Sequence, residues 1–379
     1  MIEYRFADPS HRADIIDFIN YIFSQSARPH DFKTLIPKVY QDGRGYADIH
    51  AIVLEDQRIR GVVGQLPICC TYAGVPLKIG YIGSVSTYKY TRGSGYMKKM
   101  MAMQAEHAVE TGIDIMLLGG QRQRYEYYGF SPCGNQYSYS IGEANIRHGL
   151  KNVVPAGVNW KRFQDASQEE IDSAYKIYLK QPVTGARSRE DFDIAMRSWY
   201  FEPYVILDGH TVVGYVDASG KESFAELVLT DASFAPRFIK AWCNVYGQNK
   251  LGISIPDYDQ ALNREIARFA EHYSHSVSTQ ARIVNLKNVL KACLALKQAT
   301  SSLSDGSIVL QMEDEKPVCA KVENGVIDVF ETDKTPDVQL DRLSMQQLIF
   351  ASNRYMAPEV SLPVDWFPLP IFLYAADHF

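Results

Sequence analysis

The chain lacks a basic excess: 39 Lys and Arg stand against 44 Asp and Glu, for a formal net charge of −5. Binding along a phosphate backbone calls for a surplus of Lys and Arg, so nucleic acid is not expected as a partner. Nor does any apolar run reach the roughly 18 residues that span a bilayer, and the opening MIEYRFADPSHRADII has no basic stretch followed by an apolar one. Neither a membrane nor secretion is expected, which leaves a cytoplasmic protein. Cysteine is scarce, 6 in 379 residues at irregular spacing, and the adjacent pair Cys69 and Cys70 suits neither a disulfide nor a metal. Reduced, mostly packed thiols are the expectation. His272 and His275 have no third ligand nearby, so no metal site is expected either. What is plentiful excludes general disorder: 46% of residues are hydrophobic and 12% aromatic. At roughly 100 to 200 residues per domain, the 379 residues imply about two to four domains.

Hydrophobic spacing predicts the elements. An amphipathic helix is expected over Arg12 to Gln25, with Ile15, Ile16, Phe18, Ile19, Ile22 and Phe23 recurring at helical intervals. Three strand-like runs follow: HAIVLED to Asp56, IRGVVGQLPICCTY and PLKIGYIGSVST, with turn residues Asp56, Gln57, Ala73 and Gly74 between them. They read as an antiparallel meander. After the turn TRGSG come a helix from Tyr96 to Glu110 and a wholly apolar strand ending at Leu118 that suits a buried parallel position. A short helix around Gln121 to Tyr128 and an alternating run from Gln136 to Ser140 close a first α/β domain, residues 1–142.

Residues 143–284 partly repeat this order. SQEEID opens a helix with a capping box at Ser167, strands are expected at Tyr204 to Asp208, Thr211 to Ala218 and Phe224 to Leu229, and a helix, a strand and a helix follow. The junction LVLTDASFAPRF has no glycine where the first copy has RGSG, as in a duplicate that has lost its loop. Residues 285–379 form a third, α+β segment: the helix LKNVLKACLALK, the strands VLQMED, VCAKVEN and VIDVFE, and a helix near Ser344 to Ser352.

A glycine-rich turn entering a helix offers backbone N–H groups and the positive end of the helix dipole to an anion, with phosphate the natural guest. Arg92, Gly93, Ser94 and Gly95 make such a turn. There is no P-loop lysine-threonine pair and no full GxGxxG, and the strand ahead belongs to a meander, which disfavours a nucleotide triphosphatase or a nicotinamide enzyme.

The run Val85-Ser86-Thr87, four residues, then Arg92-Gly93-Ser94-Gly95-Tyr96-Met97 resembles the acetyl-CoA motif of the GNAT N-acetyltransferase superfamily, with Met97 departing from the usual Gly or Ala. Tyr125-Glu126-Tyr127-Tyr128-Gly129-Phe130 resembles that superfamily's second element, tyrosine, three residues, glycine and an aromatic. The three-part layout is similar to the Eis-like branch: tandem GNAT-like domains with mixed central sheets, the second degenerate, then a domain like sterol carrier protein 2.

This resemblance implies an N-acetyltransferase using acetyl-CoA and no metal. It places pantetheine along Val85, Ser86 and Thr87, the pyrophosphate over Gly93 to Lys98 with Arg92 beside it, and a second cofactor contact at Gly120 and Gln121. It makes Tyr125 the general acid, with Tyr127 and Tyr128 as competitors. It makes the terminal carboxylate of Phe379 the base, with Asp377 and His378 as alternatives. Aminoglycosides, lysine side chains or polyamine-like amines are the implied acceptors, and a hexamer the implied assembly. The other class of function open to the chain is a non-catalytic acyl-CoA or lipid-binding sensor.

Overall fold

A computed structural model of the chain describes residues 1–25, 28–313, 315–353 and 356–379. They fall into two compact units, Met1–Cys133 with Ser278–Ile371 and His378–Phe379, and Gly134–Val277 with Phe372–Asp377. The segment beginning at residue 285 therefore lies, apart from Phe372–Asp377, in the same compact unit as the first 133 residues.

The first unit is built on the expected three-strand meander, extended by a strand at Ile2–Phe6 that the sequence pattern did not indicate. Strands β1 (Ile2–Phe6), β2 (His50–Glu55), β3 (Arg58–Tyr72) and β4 (Val75–Thr87) pair antiparallel in that order. Asp56, Gln57 and Ala73 take positive φ in the two tight turns. β5 (Ile115–Leu118), every residue buried, lies parallel to β4, and residues 280–283 of the strand His272–Ile283 pair antiparallel with β5. The sheet is mixed, as a β-helix-β crossover from β4 to β5 requires. That crossover is the helix Tyr96–Glu110, which buries Tyr96, Met100, Met101 and Ala108. Helix Arg12–Ser24 buries Ile15, Ile16 and Ile19.

The same unit holds a second sheet, in the order Val326–Glu331, Val318–Glu323, Gly306–Met312 and Val338–Leu340, with helices Leu286–Thr300 and Arg342–Phe350. The strand expected to reach Asp314 ends at Met312, and Asp314 lies outside the described residues. Five of the six cysteines are buried and Cys69 is exposed, all as free thiols.

The second unit repeats the order of the first. Strands Val158–Arg162, Glu202–Asp208, Thr211–Ala218 and Ser223–Leu229 form an antiparallel series, helix Ala235–Tyr246 crosses over, and Lys250–Pro256 lies parallel to Ser223–Leu229. Ser167 and Glu170 close the expected capping box, with Ser167 Oγ accepting from Glu170 N at 3.2 Å and Glu170 Oε2 from Ser167 N at 2.8 Å. At the turn ahead of the crossover helix, Asp231 Oδ1 accepts from Ser233 N at 2.9 Å. An ionised carboxylate thus holds the place where the first copy has its glycines, and it would repel a phosphate.

Within this unit Arg187 is buried and doubly paired. Its guanidinium donates to Glu226 at 2.9 and 3.1 Å and to Asp377 at 2.7 and 2.8 Å, and it lies 4.9 Å over the Tyr178 ring. Asp217 is fully buried close to the same charges, and neither of its carboxylate oxygens has a hydrogen-bond partner among the described residues. Burial, reinforced by the Glu226 charge, pushes its carboxyl well above the usual range, so it keeps its proton at neutral pH. A carboxyl raised in this way stabilises the fold fully only below its unfolded value of about 3.9, and that contribution is lost as pH rises toward the folded value. Asp217→Asn should therefore melt about 2–4 °C above the parent at pH 7, with the gap closing toward pH 4 in melting scans.

Candidate functional site

The site begins where two parallel strands part. β4 pairs with β5 only over residues 79–82 against 115–118, yet it runs on to Thr87. Just past the last pair, Ser84 takes φ 53° and the register against β3 shifts between Val62 and Gly64. This bulge turns the rest of β4 away from β5, which ends at Leu118 and gives way to Gly119 and Gly120. Residues 85–87 are left with a strand edge open on that side.

Beside that edge lies a cavity of about 510 Å³, lined by Ile22, Val85, Ser86, Thr87, Thr91, Arg92, Gly93, Gly95, Tyr96, Met97, Lys98, Arg124 and Tyr128. None of these is acidic, and Arg92, Lys98 and Arg124 are cationic. Gly93 and Gly95 take φ of 89° and 79°, left-handed values that a side chain would strain. Gly95 is the N-cap of helix Tyr96–Glu110, and neither a side-chain cap nor an acidic residue occupies the first turn. The leading amides of that helix are therefore offered to a guest together with the dipole's positive end. Lys98 stands 5.5 Å over the Tyr127 ring, and its hydrogen bond to that phenol raises its pKa.

Of the residues expected to meet the cofactor, Val85, Ser86, Thr87, Arg92, Gly93, Gly95, Tyr96, Met97 and Lys98 line one cavity. Ser94, Gly120 and Gln121 are not among its walls. The Ser94 amide is turned back to Thr91 O at 3.3 Å. Gln121 is the N-cap of the short helix Arg122–Glu126. Gly120 takes φ 149°, and a Cβ there would sit 2.5 Å from Cε2 of Tyr125, so the glycine makes room for that ring.

The three candidate tyrosines are sorted by environment. Tyr125 is buried against Gly120 and Phe130, and burial pushes its phenol above the usual value, with Arg124 opposing. Tyr128 is half-buried, lines the cavity and is likewise raised by burial. Tyr127 is 66% exposed, which leaves it the poorest placed of the three. Both buried phenols hold their protons at neutral pH, as a donor requires.

Phe379 is not among the walls of this cavity and is buried to 4% exposure against the start of the splay. Its ring faces Gly64, Gly83, Tyr40 and His50, with centroids 5.9 Å from each of the two aromatic rings. The alternatives beside it are engaged elsewhere: the Asp377 carboxylate is paired to Arg187, and His378 stacks on Tyr81 at 4.7 Å.

Two features escape the sequence. Arg124 joins the cavity wall, and its only prior signal is a position one residue ahead of Tyr125. Tyr40, His50 and Ser84 form a buried relay. His50 Nδ1 is 2.7 Å from Tyr46 O, a carbonyl that only accepts, so Nδ1 carries the proton and Nε2 accepts from Tyr40 Oη at 2.8 Å. Ser84 Oγ then donates to Tyr40 Oη at 2.6 Å. Burial lowers His50 to about 4, so it is neutral under ordinary conditions.

Residues 3–133 match the family described as acetyltransferase (GNAT) domain. The whole chain is similar in fold to a conserved protein from Enterococcus faecalis V583, at 16% identity and TM-score 0.67 over 92% of this chain and 90% of that one. It is similar to a GCN5-related N-acetyltransferase from Anabaena variabilis, at 16% identity and TM-score 0.67 over 91% and 89%. It is also similar to Eis1 from Mycobacterium abscessus, at 14% identity and TM-score 0.65 over 96% and 94%. No curated protein matches the chain. The domain match supports an enzyme of the acyltransferase class that draws on acetyl-CoA. Among the described residues no helix is long and apolar enough to cross a membrane.

Proposed function

We propose that the chain is an N-acetyltransferase that moves an acetyl group from acetyl-CoA directly to a primary amine on an aminoglycoside, lysine side chain or polyamine-like acceptor. The observation that carries this is the splay of β4 from β5 opening beside an uncapped, glycine-entered helix, one open strand edge for a pantetheine and one cationic mouth for a diphosphate. Val85, Ser86 and Thr87 hold the pantetheine arm. Arg92, Gly93, Ser94, Gly95, Tyr96, Met97 and Lys98 hold the pyrophosphate. Gly120 and Gln121 make a second contact.

The amine nitrogen attacks the thioester carbonyl carbon, the C–S bond breaks, and the leaving thiolate takes a proton from Tyr125. The carboxylate of Phe379 takes the proton that the attacking amine sheds. An ionised α-carboxyl, with an ordinary pKa of about 3.5, is available for this at pH 7. The proposal extends to an Eis-like three-domain chain, 1–142, 143–284 and 285–379, working in the cytoplasm as a hexamer.

Purified protein mixed with acetyl-CoA and a panel of aminoglycosides, polyamines and lysine peptides should release free thiol with at least one of them. Binding of CoA without turnover on any amine would instead leave a sensor. Two residues appended after Phe379 should lower kcat about tenfold while leaving the affinity for acetyl-CoA within about twofold. An unchanged kcat would remove the carboxylate of Phe379 from the reaction.

A further inference from the structure

We infer that Gly64 and Gly83 form a socket for the aromatic ring of Phe379 and act as positioning residues for the reaction proposed above, on whose reading of the tail the catalytic part of this inference rests. The two glycines are direct cross-strand partners in β3 and β4. Neither takes a left-handed φ, so no backbone conformation calls for glycine at either place. A β-strand interior loses both order and packing by holding glycine, and strands avoid it without a reason. The reason here is space. A Cβ on Gly64 would overlap Cε1 of Phe379 and lie 2.6 Å from its Cζ. A Cβ on Gly83 would lie 2.7 Å from Cγ, 2.8 Å from Cδ1 and 2.9 Å from the oxygen of Phe379. Two missing side chains on one face of adjacent strands thus make a slot with the thickness of a ring.

The slot has a floor and a wall. Tyr40 and His50 flank the ring, and both are fixed by the Ser84–Tyr40–His50–Tyr46 relay. Ser84 is the residue at positive φ that turns β4 away from β5, and Gly83 is its neighbour. The relay therefore ties the ring's wall to the bulge that opens the splay. With the ring seated, the oxygen of Phe379 lies over Gly83, at the point where the strands begin to part. A phenyl ring suits this place because two torsions fix it, whereas a flexible side chain would hold its carboxyl group loosely.

The test is a double-mutant cycle in the full chain, read in both kcat and melting temperature. Gly64→Ala should expel the ring and lower kcat by up to about 10²-fold, with the acetyl-CoA KM held within about twofold, because the cavity walls are untouched. In a Phe379→Ala background the same change should cost much less, since the ring atoms it strikes are gone and only His50 Cδ2, 3.0 Å from the new Cβ, must still give way. Phe379→Leu should fall between the parent and Phe379→Ala. Gly83→Ala should repeat the loss seen for Gly64→Ala. Equal losses from Gly64→Ala in both backgrounds would overturn the socket, as would a Gly64→Ala protein with parental kcat and melting temperature. The tail's chemical role is judged separately by the extension after Phe379. If extension leaves kcat unchanged while the cycle still shows coupling in melting temperature, the socket stands and the carboxylate base falls. If extension lowers kcat while the cycle shows no coupling, the base stands and the socket falls.

Discussion

Tyr125→Phe should lower kcat about 10²-fold while leaving the dissociation constant for acetyl-CoA within about twofold. The change removes one oxygen from a ring that Gly120 and Phe130 hold in place, so the packing survives and only the donor is lost. The phenol is raised by burial and keeps its proton, which in the proposed reaction goes to the leaving thiolate. Steady-state kinetics with equilibrium CoA binding measures both halves of the expectation. Tyr128→Phe is the matched control, since Tyr128 lines the cavity and competes for the same role. A larger kcat loss from Tyr128→Phe than from Tyr125→Phe would move the acid to Tyr128.

The second large effect lies away from the cofactor. Arg187→Met should destabilise the second unit by about 3–5 kcal/mol at neutral pH, because it removes the buried guanidinium that pairs with both the Glu226 and the Asp377 carboxylates. Both side chains of the Arg187–Glu226 pair are within 2% of complete burial, so solvent screens little of this. Burial already pushes Glu226 above the usual carboxylate range, with Arg187 opposing it. Without the arginine each acid must hold its proton to stay buried, and a carboxyl raised in the folded state loses its favourable contribution as pH climbs above about 4. The deficit should be small near pH 4 and widen toward pH 7 in chemical-denaturation midpoints. A deficit independent of pH would trace the loss to packing against Tyr178 and Met196 instead.

Local elements were legible. Helix Tyr96–Glu110 and strand Thr211–Ala218 appear with the expected ends, because each carries a full period of its own pattern with turn residues outside it. The all-apolar run before Gly119 reads as a buried parallel strand and is one, since only a strand covered on both faces lacks alternation. The glycine turn and the tyrosine at the next helix were legible as motifs; nine of the residues expected to meet the cofactor share one cavity, and Tyr125 is not among its walls.

What stayed hidden depends on residues far apart in the chain. Arg187 and Asp377 are 190 positions apart, and neither has a neighbour in sequence that predicts the other. The ring of Phe379 meets Gly64 and Gly83 only because β3 and β4 lie in one register, and a shift of one residue would turn both glycines to the opposite face. The bulge at Ser84 has no signature in the sequence of its strand, yet it sets where β4 leaves β5.

The amino-acid order alone indicated the main helices and strands, the glycine-entered helix and the lack of a basic excess, because each of these is written in composition or in the spacing of neighbours. Which tyrosine is buried, which carboxylate is paired and where the last aromatic ring is seated were decided by the folded sheet. Burial and strand register are sums over contacts between distant segments, and no window along the chain contains them.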